Sequence, residues 1–136
     1  MKGHVGKILR IDLTNHTTET IPTEEYEDWV GGFGMGLALV WDEIDKDYIT
    51  DTHDKTGFEP ENVLAIMSGP LQGTLAPNAG RTEITGIAPE AYPRPQLTRS
   101  NFGGRFSPMM KFAGYDGVVI TGKSDEPVYV EIQNSN

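Results

Sequence analysis

Two helix-like segments stand back to back in this chain, and almost every other periodic stretch reads as strand. That order constrains the fold more than any count of residues does. Strands that do not alternate with helices point away from a parallel, helix-covered sheet and toward α+β. Val5 to Leu13 alternates best at Leu9, Ile11 and Leu13. A turn at Thr14-Asn15-His16 then leads into the threonine-rich stretch Thr17 to Ile21, so these residues read as a hairpin. The first helix is expected over Thr23 to Val30, with Thr23 as its N-cap, acids in its first turn, and Tyr26, Trp29 and Val30 on one face. Gly31-Gly32 ends it. A second helix is expected from about Gly34 to Ile44, with Leu37, Val40, Trp41 and Ile44 as its apolar face.

The strand segments follow. Asp45 to Glu61 reads as a polar surface loop, and Val63 to Met67 as a buried strand. Gly69 to Thr74 has turn chemistry, and Arg81 to Ile87 alternates as a strand. Tyr92-Pro93-Arg94-Pro95 is held extended by its prolines, and Gln96 to Ser100 can be another strand. Gly104 to Phe112 reads as a short helix kinked at Pro108. Gly117 to Gly122 and Val128 to Ile132 read as strands joined around Ser124 to Pro127. The expected fold is α+β: a mainly antiparallel β-sheet with two or three short helices, in one domain over 1–136.

A chain of 136 residues can bury a core of its own. Its net charge of −9 argues against nucleic acid as a partner, because phosphate neutralisation needs a basic surface. With no cysteine, the chain cannot itself supply a disulfide, a thiol nucleophile or an iron–sulfur ligand. The start lacks the apolar segment of a signal peptide, and no run is long enough for a membrane helix. No membrane role and a cytoplasmic address are expected. Asn15-His16-Thr17 matches the glycosylation pattern by chance. Residues 18–61 carry 13 acids against Lys46 and Lys55, which reads first as a solvated face and second as a surface for a basic partner.

The cations are gathered elsewhere. From Gly80 to Lys111 there are Arg81, Arg94, Arg99, Arg105 and Lys111 against Glu83 and Glu90. That segment is therefore +3, and the rest of a −9 chain is −12. Arginine suits phosphate because its planar fork donates two parallel hydrogen bonds. Gly80 beside Arg81 lets backbone approach a ligand. Asn101-Phe102-Gly103-Gly104 reads first as a turn; it also precedes a helix start, where exposed N–H groups attract anions. Gly31-Gly32-Phe33-Gly34-Met35-Gly36 follows a helix and lacks dinucleotide-loop spacing, so it reads as a helix–helix corner. His4, His16 and His53 are scattered and read as surface residues. Ser68 and Ser107 have no hydrolase setting, and Met109, Met110 and Trp41 read as core. No catalytic constellation is self-contained.

Taken in order, the motifs resemble the N-terminal domain of the tungsten-containing aldehyde:ferredoxin oxidoreductase family. They are Gly6 to Thr14, Gly31 to Gly34, Pro60-Glu61-Asn62, Ser68 to Thr74, Ala76 to Arg81, Asn101 to Asp116, Gly122-Lys123-Ser124 and Pro127 to Val130. The resemblance implies part of an oxidoreductase that takes aldehydes to carboxylates on a tungsten bis-pterin. It implies a bridging magnesium and a 4Fe-4S cluster that passes electrons to ferredoxin. It makes Arg81 the arginine between pterin and cluster. It makes Asn101 the residue whose backbone carbonyl helps bind the magnesium between the pterin phosphates. Gly103 and Gly104 then let backbone approach the cofactor, with Arg105 beside them. The family's enzymes are several times longer, and their cluster cysteines belong to later segments, so this chain alone is expected to be inactive. Tyr92-Pro93-Arg94-Pro95, Arg99 and Arg105 depart from the aldehyde oxidoreductases and point to another branch. The family's pterin-binding domain is internally duplicated, and this chain corresponds to about half. The missing part is then the rest of the enzyme, a second subunit, or a second copy in a homodimer. The alternative is a stand-alone, non-catalytic assembly or cofactor-carrying module with the same fold.

Overall fold

The structure is a computed structural model and describes residues 2–50, 54–90 and 93–134. Its centre is one six-stranded sheet in the order β2-β1-β6-β3-β4-β5. The strands are β1 (Lys7–Asp12), β2 (Thr17–Pro22), β3 (Leu64–Met67), β4 (Thr82–Ala88), β5 (Gln96–Phe102) and β6 (Gly117–Thr121). Four of the five pairings are antiparallel, and β1 with β6 is parallel. The expected α+β class stands, with the hairpin β1–β2 and strands β3, β4 and β6 where the pattern put them.

Both faces of the sheet are covered in part. Ile8, Ala65, Met67 and Val119 pack with Met35, Leu39 and Val40 of α1 (Gly32–Glu43). Gly36 permits that approach, since a Cβ there would lie 3.0 Å from Thr85 Oγ1 and 3.3 Å from Met67 Cγ. On the opposite face Ile11, Val118, Tyr115 and Met110 form a second cluster, with Leu9, Leu13 and Ile120 against it. This explains the weak alternation of β1: neighbouring residues feed different cores.

Several expectations are corrected. Thr23–Trp29 is a 3₁₀ helix whose cap position is Pro22. Thr23 does not cap it, because its hydroxyl donates to Asp116 Oδ2 at 2.8 Å. Tyr26 is buried, but Trp29 and Val30 are exposed. In α1 the buried stripe is Met35, Gly36, Ala38, Leu39 and Val40, while Trp41 is 58% exposed. Met109 is also exposed, so neither it nor Trp41 is core. The expected loop 45–61 contains α2 (Lys46–Thr50), anchored by buried Tyr48. Pro108 lies in the first turn of α3 (Phe106–Phe112), where a backbone N–H would have no intrahelical acceptor, so it has no bond to break there. Residues 128–132 form no strand; Ile132 instead packs against the second core. His4 is not a surface residue: its side chain is 3% exposed and lies 3.5 Å from Asp116. His16 is exposed as expected, and His53 and Tyr92 lie outside the described residues.

The elements meet at Asp116, which is fully buried just before β6. Its carboxylate accepts from the backbone N–H groups of Val5 (2.9 Å) and Gly6 (2.8 Å) as well as from Thr23. Its own N–H donates to Lys7, and its carbonyl accepts from both the N–H and the hydroxyl of Ser68. Removing the carboxylate strands several buried donors. Asp116→Ala is therefore expected to cost about 3–5 kcal/mol, read as a lower urea midpoint with an unchanged slope.

A second local knot holds the segment after α2. Glu59 accepts from the Thr56 N–H and hydroxyl, the Gly57 N–H and the Tyr48 hydroxyl. Burial raises its carboxyl pKa, but the bonds from Thr56 and Tyr48 outweigh that and bring it down to about 2. Because the folded value lies below the ordinary 4.5, this stabilisation is complete above pH 4.5 and fades as pH falls toward 2. Glu59→Gln should flatten that part of the acid-unfolding profile, measured as urea midpoint against pH.

Candidate functional site

The cationic segment is built from β4, β5 and the start of α3. Strand β5 runs on through Asn101 and Phe102 rather than ending at Ser100, and Asn101 pairs with Glu83 across the β4–β5 ladder. This register carries Arg81, one residue before β4, to the end of β5 at Asn101. The Arg81 guanidinium donates to Asn101 Oδ1.

Gly103, Gly104 and Arg105 form the turn from β5 into α3. Gly104 has φ +102°, a conformation that favours glycine, and a Cβ at Gly103 or Gly104 would meet nothing within 4 Å. Across the turn, a Cβ built on Gly80 would lie 3.5 Å from the Gly104 carbonyl oxygen. Arg81, Asn101, the two glycines and Arg105 are thus brought to one end of the sheet, and all are exposed.

Two contacts that sequence reasoning missed hold this end together. The hydroxyls of Thr82 and Ser107, both buried, lie 2.7 Å apart and join the start of β4 to the first turn of α3. Phe102 and Phe106 meet edge to face at 5.4 Å and brace the intervening turn. A threonine opening a strand and a serine after Arg-Phe carry no spacing signal. The two phenylalanines flanking Gly103-Gly104 were the available clue.

The other cations are spent elsewhere. Arg10 pairs with Glu43 at 2.8 Å and with Glu19 at 3.6 Å. Arg99 pairs with Glu83 and lies over the Phe33 ring at 4.9 Å. Arg94 also has a partner. Lys111, counted with the cationic segment, is a buried strut. Its ammonium donates to the Gly3, Gly69 and Pro70 carbonyls, and burial pushes its pKa down against the opposing charge of Asp116. Among the described residues, Arg81 and Arg105 have no carboxylate partner. Arg81 has given one donor to Asn101 and keeps the rest of its fork.

An anionic cofactor with phosphate groups fits this donor set. Two guanidinium groups without carboxylate partners flank an open glycine turn, and the amide that orients one of them is already in contact with it. The Thr82–Ser107 bond sets the alignment. Thr82→Val should leave the Ser107 hydroxyl buried without its partner and lower stability by about 1–3 kcal/mol in urea unfolding.

Residues 8–136 match the family model described as aldehyde ferredoxin oxidoreductase, N-terminal domain. The chain is 38% identical over its whole length to a tungsten-containing aldehyde ferredoxin oxidoreductase of Pyrococcus abyssi (strain GE5 / Orsay), covering 21% of that relative. It is 32% identical to the aliphatic sulfonate oxidoreductase, WOR-like subunit, of Pyrococcus furiosus, over 98% of this chain and 20% of that one. Among solved structures it is similar to the active site complex BamBC of benzoyl coenzyme A reductase in complex with 1,5-dienoyl-CoA. The TM-score is 0.83 at 31% identity, over 99% of this chain and 19% of that chain. The chain thus spans about a fifth of the length of these relatives.

Proposed function

Because the chain belongs to the aldehyde ferredoxin oxidoreductase family, we propose that it is the pterin-gripping N-terminal portion of a tungstopterin-dependent oxidoreductase. The observation that carries this reading is the pair of arginines without carboxylate partners, Arg81 and Arg105, at one end of the sheet of an otherwise acidic chain. Arg81 would neutralise cofactor charge while Asn101 fixes its orientation through the bond already present. The backbone carbonyl of Asn101 is the proposed contact to the magnesium between the pterin phosphates. Gly103 and Gly104 place no side chain over the turn, so backbone can come close to a large group. Arg105 supplies the second charge.

When bound, such a cofactor supplies the two-electron oxidation of an aldehyde to a carboxylate, with electrons leaving through an iron–sulfur cluster to ferredoxin. This chain's share is binding and orientation, since without cysteine it offers no thiolate to a cluster. The remaining cofactor contacts and the cluster ligands would come from the rest of a longer cytoplasmic protein or from a second subunit. That portion would also cover the α3 side of the sheet, where Phe112, Met109 and Val130 are exposed around a cavity of about 530 Å³.

The test is Arg81→Ala in the full-length protein. Losing one charge-assisted contact to an anion should weaken retention of tungsten and pterin by about tenfold or more, while the urea midpoint stays put. Unchanged tungsten and pterin content in that variant would overturn the assignment.

A further inference from the structure

Away from the cationic end, the outer face of α1 carries an apolar groove that the fold leaves uncovered. Trp29, Leu37, Ala38 and Trp41 line it with Asp42, around a space of about 360 Å³. Trp29 is 53% exposed and Trp41 58%. Here two exposed tryptophans converge on one groove with Leu37 and Ala38, and a contiguous exposed apolar patch of this kind marks a contact surface. Leu37 and Trp41 also border a second hollow of about 390 Å³ that reaches Ile49 and Leu97, so the apolar surface continues around the helix.

Acids dominate the chain segments that form the groove. Residues 18–45 contain no lysine or arginine. Exposed Glu24, Glu25 and Asp28 precede Trp29, and exposed Asp42 and Asp45 follow Trp41. Asp42 is positioned by the Tyr26 hydroxyl, which donates to it at 3.1 Å. The Trp41 ring already takes a cation: Lys46 Nζ lies 4.5 Å from its centroid.

We propose that this groove is a docking site for a basic amphipathic segment of a partner protein. Leucine-like side chains of that segment would enter between Trp29 and Trp41, and a lysine or arginine would lie on the indole faces beside Asp42. Apolar walls supply affinity, while the acidic rim selects cationic sequences and rejects acidic ones.

The probe is a fluorescently labelled helical peptide of leucine and lysine, titrated into the full-length protein and followed by anisotropy. A leucine–glutamate peptide of the same pattern is the control. The lysine peptide should bind, the glutamate peptide should not, and added salt should weaken the complex. Trp29→Ala and Asp42→Asn, both surface changes that should leave the urea midpoint unchanged, should each weaken binding by about fivefold or more. The proposal is overturned if neither peptide binds, if both bind alike, or if the variants bind as wild type does. It is also overturned if the full-length protein self-associates through this face, with Trp29→Ala returning it to monomer, because the occupant is then a second copy.

Discussion

The carboxylate of Asp116 is the point on which the structure turns. A fully buried charge costs free energy unless donors replace the water it has lost, and here they come from Val5, Gly6 and Thr23. These donors come from two parts of the fold: Val5 and Gly6 from the approach to β1, and Thr23 from the first turn of the 3₁₀ helix. The Asp116 main chain adds Lys7 and Ser68, at the start of β1 and just past β3. One residue thus holds the neighbours of the central strand β6 at a fixed height. The parallel pairing of β1 with β6 and the antiparallel pairing of β3 with β6 both start beside it.

The cationic end depends on that frame at one remove. Lys111 hangs from the same region, its ammonium tied to the Gly3, Gly69 and Pro70 carbonyls, and so fixes the C-terminal part of α3. The Thr82–Ser107 bond fixes the other end. Held by the β4–β5 ladder before it and by the Thr82–Ser107 bond after it, the Gly103-Gly104 turn has little freedom in where it emerges, although its own residues are exposed. The chain therefore spends one cation as a structural strut and keeps Arg81 and Arg105 out of ion pairs at the surface. Thirteen of the chain's 20 acids fall in residues 18–61, the segment that holds the helices before β3.

Much of this was legible in residue patterns. The continuous run at Val63 to Met67 announced β3, which lies between β6 and β4, although only one of its faces is fully buried, with Ala65 and Met67 in the core and Leu64 exposed. The alternation of Arg81 to Ile87 and the turn at Thr14-Asn15-His16 placed β4 and the first hairpin. Glycines at 31–36 read as a helical corner and form one. The misses share a cause. The buried face of α1 was legible in half: Val40 and Ile44 are buried as expected, but Trp41 and Leu37 are as apolar as Met35 and Leu39, and helical spacing alone does not say which of them meet the sheet. Thr23 looked like a cap because a cap and a long-range donor have the same side chain. His4 looked exposed because its segment reads as polar and it has no metal-ligand spacing to another histidine; the carboxylate it lies beside, Asp116, is more than a hundred residues on.

Sequence by itself determined the fold class, the family, the concentration of arginines between Gly80 and Lys111 and the absence of any thiol ligand, because these are properties of composition and order. Tertiary structure decided which of those cations remain available. Arg99 meets Glu83 across a strand register, Lys111 is drawn into a carbonyl cage, and Arg81 reaches Asn101 twenty residues away. Hydrogen bonds and ion pairs act over a few ångströms, and only the folded sheet brings residues so distant in the chain within that range.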